Sequence, residues 1–182
     1  YSAALTYEAA RPEASTVTAL LFDLAAPSVT TLPTHRLVRG GPAGDELLAA
    51  AAPLFEIDPC PDAAALRAAM AEPPAHQRLG VYSHGRAALL TPRRAAFEPL
   101  LARGPSASAA GRWLDVAVLM AALEALFGLD AAAVAGGAIG YTSEAAAAVA
   151  AVDEGRADTA FLLDATPVEA VLDVAAAGEV MP

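Results

Sequence analysis

Residues 113–126 constrain the fold most, because they read as a helix that is apolar on more than one side. Leu114, Val118, Ala121 and Ala125 form one stripe, and Val116, Met120, Leu123 and Phe127 form another. A surface helix buries one face only, so this one has to be covered by other elements on most sides. It is too short for a membrane span and carries Asp115 and Glu124, which leaves a helix inside a core. Apolar residues make up 56% of the chain and aromatic residues 5%, so that core is built from Ala, Leu and Val. Small alanine faces let neighbouring elements approach closely.

The remaining elements alternate. A helix is expected over 1–10, a central strand over 16–24 with Asp23 near its end, and a short strand over 29–32. Helices over 45–52 and 61–70 flank a strand over 54–57, giving a βαβ or split ferredoxin-like unit. Residues 78–82 and 86–90 read as a hairpin turning at Ser83-His84-Gly85. Thr91-Pro92 reads as an N-cap followed by proline at the first helical position, and Thr166-Pro167-Val168-Glu169 as a capping box. Strands over 138–141 and 159–163 enclose an alanine helix over 144–152. The fold class is α/β in the broad sense (α+β), a mixed β-sheet with surrounding helices. An α/β lobe over 1–104 and a helical or α/β lobe over 112–182 are separated by the Gly/Ser/Pro-rich stretch 102–111, or join into one continuous domain.

Composition narrows the function classes. The net charge of −10, from 11 basic and 21 acidic residues, argues against a broad nucleic-acid surface and leaves room for a local basic pocket. The lone Cys60 excludes an internal disulfide and a thiolate metal cluster. No membrane span or signal peptide is read, so a cytoplasmic protein is expected. The chain begins at Tyr1 without methionine and stops at Pro182, so it is expected to lack flanking segments of a longer parent.

Candidate chemistry centres on Leu32-Pro33-Thr34-His35-Arg36, read as lying just after a strand. Hydroxyl, imidazole and guanidinium on successive residues suit contact with an anion or a phosphate, and His35 adds acid–base capacity. Neighbouring strand residues point to opposite faces, so the three converge only if Pro33 bends the chain; the plainer reading is a structural histidine beside a solvated arginine. Arg78 and Arg86 are placed to flank a pocket mouth. Asp23, Glu56 and Asp58 lie near strand ends, where they would serve as base or magnesium ligand if brought together. His76 and His84 share no helix face and there is no HExxH pattern, so no metal site is expected. Gly40-Gly41-Pro42-Ala43-Gly44 lacks the lysine of a phosphate loop, and Cys60 lacks an adjacent histidine. Asp164 is read as a turn residue, Asp115 as a helix partner of Arg112, and Tyr141-Thr142-Ser143 as a strand end with three hydroxyls.

Taken together, Leu32 to Arg36, Arg78 to Tyr82, Leu114 to Leu119, Ile139 to Thr142, Ala160 to Leu163, Thr166 to Glu169 and Ala175 to Pro182 resemble the bacterial and archaeal domain of unknown function 1015 family over nearly the whole chain. Members carry Asp-Gly-His-His-Arg before the position of Tyr1 and Gln-Lys-Ser-Thr-Tyr-Phe-Tyr-Pro-Lys after Pro182; both motifs are absent here. Many relatives have histidine in the long helix where this chain has Met120 and alanines, which weakens a site role for that helix. The first motif links the family to the ParB and sulfiredoxin-like group, which includes a free-serine kinase. The resemblance implies a phosphate-competent cleft that binds a phosphorylated small molecule or a nucleotide, with Mg²⁺ as a companion, and that transfers a phosphoryl group to a small metabolite. Thr34, His35, Arg36 and Arg78 would contact the ligand, and His35 and Asp23 are the catalytic candidates. A non-enzymatic ligand-binding or regulatory module is the alternative, and a ParB-like nucleic-acid role is the third, disfavoured by the acidity.

Overall fold

Runs of alternating side chains build a sheet, and short alanine-rich helices cover it. The computed structural model describes residues 31–73, 77–104, 108–179 and 181. The helix expected over 1–10, the strand over 16–24, the candidate Asp23 and His76 lie outside these residues. In chain order the described elements are β1 His35–Val38, α1 Gly44–Ala51, β2 Phe55–Cys60, α2 Ala63–Ala71, β3 Leu79–Ser83, β4 Arg86–Pro92, α3 Arg94–Leu101, α4 Ala109–Arg112, α5 Asp115–Phe127, α6 Ala131–Ala135, β5 Ile139–Thr142, α7 Ala145–Asp153, β6 Thr159–Leu162 and α8 Val168–Ala176.

The six strands order as β2-β4-β3-β6-β1-β5. Helices around a sheet are what the sequence leads one to expect, but every described pairing is antiparallel where mixed directions were expected. The cause is topological. β2 and β3 run parallel to each other with β4 between them, and β5 and β6 run parallel with β1 between them. The crossovers β2–α2–β3 and β5–α7–β6 are thus two split β–α–β units, joined where β3 pairs with β6. Strands from either side of the stretch 102–111 share this sheet.

Each face has its own core. Val38, Leu79, Val81, Ala88, Leu90, Phe161 and Leu163 meet α1, α3 and α5 through Leu47, Phe97, Val118, Leu119 and Leu123. The alternate residues Tyr82, Ala87, Ala160 and Leu162 meet α2 and α7 through Leu66, Ala148, Ala151 and Val152. Burying a side chain such as Phe161 contributes roughly 1.5–3 kcal/mol. Gly80 sets the spacing of the second layer, since a Cβ there would come within 3.0 Å of Leu162 and 3.3 Å of Leu66.

Several boundaries differ from the sequence reading. His35 and Arg36 are the first residues of β1; of the strand expected over 29–32, residues 29–30 lie outside the described residues and 31–32 are not in a strand. Thr91 and Pro92 belong to β4, opposite Glu56 and Phe55, and Arg93 is the N-cap of α3; strand pairing overrides the local capping signal. Pro167, not Thr166, occupies the N-cap of α8, and the Thr166 carbonyl instead accepts the Thr31 hydroxyl at 2.7 Å. In α5 the fully buried stripe is Val118, Leu119, Ala122 and Leu123, whereas Ala125 is exposed. Gly128 closes that helix at φ 66°, where Leu129 N–H reaches the Leu123 carbonyl at 3.3 Å.

Candidate functional site

One end of the sheet gathers the polar groups. There β1 and β3 begin, β5 and β6 finish, and α5 and α7 start. His35 lies opposite Thr142 and is buried, and its Nδ1 accepts the Leu163 N–H at 3.1 Å. The lone pair of Nδ1 is therefore committed, and the neutral ring carries its proton on Nε2. Burial first, and the neighbouring Arg36 charge second, hold the His35 pKa below its ordinary value, with Glu144 pulling the other way.

Arg36 lies opposite Tyr141 and Phe161 on the other face of β1. It is 7% exposed, the one arginine among the described residues that is buried. Its Nη1 donates to the Thr34 carbonyl, and its guanidinium stands 5.5 Å from the centre of the Tyr141 ring. The buried Nε has no hydrogen-bond partner, and no carboxylate pairs with this cation among the described residues. Burial works against its charged form, yet a guanidinium stays protonated in proteins. The structure thus brings Thr34, His35 and Arg36 to one end of the sheet and places His35 and Arg36 on opposite faces.

A second group adjoins them. Leu163, held by His35, leads into Asp164, and Asp164 lies 3.5 Å from Arg78 Nε. The Arg78 Nη2 is taken by the Glu72 carbonyl. Beside Arg78, the Gln77 amide donates to the Asp115 carboxylate at 2.9 Å and to the Trp113 carbonyl at 2.7 Å. Burial raises the pKa of Asp164 against the pull of Arg78. Burial also raises that of Asp115, opposed by the Gln77 hydrogen bond and supported by the Asp164 charge. Asp115 is the first residue of α5, which packs on the same face as Arg36. Its expected pairing with Arg112 is replaced by Gln77, and the Arg112 Nε turns to the Ser108 carbonyl.

Other candidates have structural partners. Glu56 pairs with Arg93 at 3.2 Å on the surface, and Asp58 is exposed on the edge strand β2. Arg86 pairs with Asp45 at 2.8 Å, and Arg94 stacks on Trp113 at 4.4 Å. In the glycine loop, Gly40 N–H donates to Asp158 at 2.7 Å and Gly44 N–H to Ser83 at 3.0 Å, so this chain's own side chains take those amides. Burial and then the Asp58 charge push the Cys60 thiol up, away from a reactive thiolate. Among the described residues no three of His, Cys, Asp and Glu converge as a metal site, and no helix is long and apolar enough to cross a membrane.

Gln77 and the roles of Asp115 and Asp164 were not legible in the sequence. Their convergence depends on β3 lying beside β6, which no local spacing encodes. Comparisons with protein-family models, curated proteins and solved structures find no match.

Proposed function

We propose that this end of the sheet binds the phosphate of a phosphorylated small molecule or nucleotide, and that the parent protein transfers a phosphoryl group to a small metabolite. The observation that carries the reading is the buried Arg36 cation, whose Nε has no hydrogen-bond partner and with which no acid among the described residues pairs. With Nη1 occupied by Thr34, the edge left to a ligand is the Nε–Nη2 fork, which matches two oxygens of one oxyanion. His35, on the opposite face, fixes the backbone that leads into Asp164, and Arg78 supplies positive charge beside Asp164.

For the transfer, Asp115 is the residue suited to take the proton. Burial raises its proton affinity, Gln77 fixes one of its oxygens, and it lies on the Arg36 face. The acceptor hydroxyl would lose its proton to Asp115 as its oxygen bonds to phosphorus, and the bond from phosphorus to the leaving oxygen would break. Mg²⁺ is commonly held by one or two carboxylates together with ligand phosphates, and with Asp115 taking the proton, Asp164 is the group here that would hold it. A binding module without turnover is the second reading, favoured by the same unpaired Arg36.

Calorimetric titration with inorganic phosphate and with ATP tests the site. Arg36→Lys keeps the charge and removes the fork, so it is expected to weaken both ligands by roughly tenfold or more, within the range of charge-assisted hydrogen bonds. Unchanged affinity in a folded Arg36→Lys protein overturns the reading. Slow ATP consumption that disappears in Asp115→Asn while binding persists separates an enzyme from a binding module.

A further inference from the structure

The ring beside Arg36 says what kind of phosphate compound this site would hold. Tyr141 is 52% exposed although its Cα partner across the β1–β5 pairing, Arg36, is buried. β5 is the outermost strand of the described sheet, so no further strand among the described residues covers the ring. The guanidinium approaches it at 5.5 Å and leaves much of the aromatic surface open to solvent. Thr142, Ser143 and Glu144 follow directly, with Ser143 and Glu144 exposed, and place hydroxyl and carboxylate groups at the same strand end. The Thr142 hydroxyl also accepts the Glu144 N–H at 3.2 Å, which fixes the turn into α7.

An unused oxyanion fork, an open aromatic face against it and adjoining hydroxyl acceptors suit the three parts of a nucleotide. We propose that Tyr141 is the stacking floor for a nucleobase, so that the ligand of the Arg36 site is a nucleotide and not a phosphate ester without a ring. This rests on the reading of Arg36 as an oxyanion site. Base–aromatic stacking tolerates any base because each presents a π face, so the ring selects the class and not the base. The Ser143 hydroxyl and the Glu144 carboxylate would meet the ribose hydroxyls. A Tyr141 that merely shields Arg36 would instead act on every phosphate compound alike.

AMP and ribose 5-phosphate differ by the base alone, and inorganic phosphate lacks the sugar as well. Calorimetry of the whole chain with these three probes is expected to give AMP roughly tenfold or more tighter than ribose 5-phosphate, from the usual strength of one stacked base. Tyr141→Leu should bring AMP to the ribose 5-phosphate level and leave inorganic phosphate unchanged, and Tyr141→Phe should keep the preference. Equal affinities for AMP and ribose 5-phosphate in the unmutated chain overturn the proposal. So does a Tyr141→Leu variant that keeps the AMP preference, or one that weakens all three probes equally. Arg36→Lys distinguishes the underlying reading: if it weakens none of the probes, the oxyanion site itself fails, whereas a loss of all three with no effect of Tyr141→Leu on the AMP preference sinks the stacking floor alone.

Discussion

At the scale of single residues, His35 shows how a group chosen for its acid–base chemistry can be occupied otherwise. Its Nδ1 holds the Leu163 amide, so its neutral ring keeps the proton on Nε2 and fixes the backbone that leads into Asp164. The ordinary histidine value is 6.5, and burial with the Arg36 charge lowers it in the folded state. The unfolded chain therefore binds more protons between the lowered value and 6.5, so stability from this group is complete above 6.5 and is lost as pH falls through that window. Asp115 and Asp164 act with the opposite sign and lower on the scale: raised above 3.8, they bind more protons when folded, and stability falls as pH rises from 3.8 through their folded values. Denaturant unfolding across a pH series should show stability lost on acidification below about 6.5. His35→Asn, whose amide oxygen can accept from Leu163, should flatten that slope; an unaltered slope would assign it to another group.

At the scale of elements, punctuation was readable and strand partnership was not. The hairpin β3–β4 turns at His84 and Gly85, both at positive φ, as a two-residue turn of the kind the Ser83-His84-Gly85 signal announced. Helix α5 stops at Gly128 as expected, where a left-handed residue at φ 66° closes the helix. The capping signals at Thr91-Pro92 and Thr166-Pro167 misled: pairing with β2 claimed the first, and α8 begins one residue later than the second implied, with Pro167 at its N-cap. The loop after β1 offers a test of packing against backbone strain. Gly40 and Gly41 both have positive φ, but a Cβ on Gly41 would collide with the Phe127 ring, which packs edge-on against Phe161, while one on Gly40 meets nothing within 4 Å. Gly40→Ala should cost about 1–2 kcal/mol from the backbone alone, and Gly41→Ala about 2–4 kcal/mol, by urea unfolding. Equal costs would mean that the Phe127 ring yields freely.

At the scale of the whole molecule, the site is assembled from segments far apart in the chain: 34–36, 77–78, Asp115, 141–144 and 163–164. The sequence pointed to the first of these because three functional groups stand side by side, and to Arg78 as a cation near a strand. It did not point to Gln77 or to the proximity of the Asp115 and Asp164 charges, because the order β3-β6-β1 is a property of the sheet. The eleven basic residues are all arginine, set against 21 acidic ones, so the surface repels anions overall. Among the described residues no acid pairs with the buried Arg36, so an anion bound there would offset the cost of an unpaired buried charge. That cost is the reason to expect ligand binding to stabilise the fold, by about 2.7 kcal/mol at a hundred times the dissociation constant. The most direct measurement follows the arginine Nε–H resonances by ¹⁵N NMR during titration with AMP, with Arg36 assigned by its loss in Arg36→Lys. The account predicts that the Arg36 signal shifts as its hydrogen bond forms and exchanges more slowly with water, in step with saturation. An Arg36 signal that stays fixed while AMP binds would contradict it.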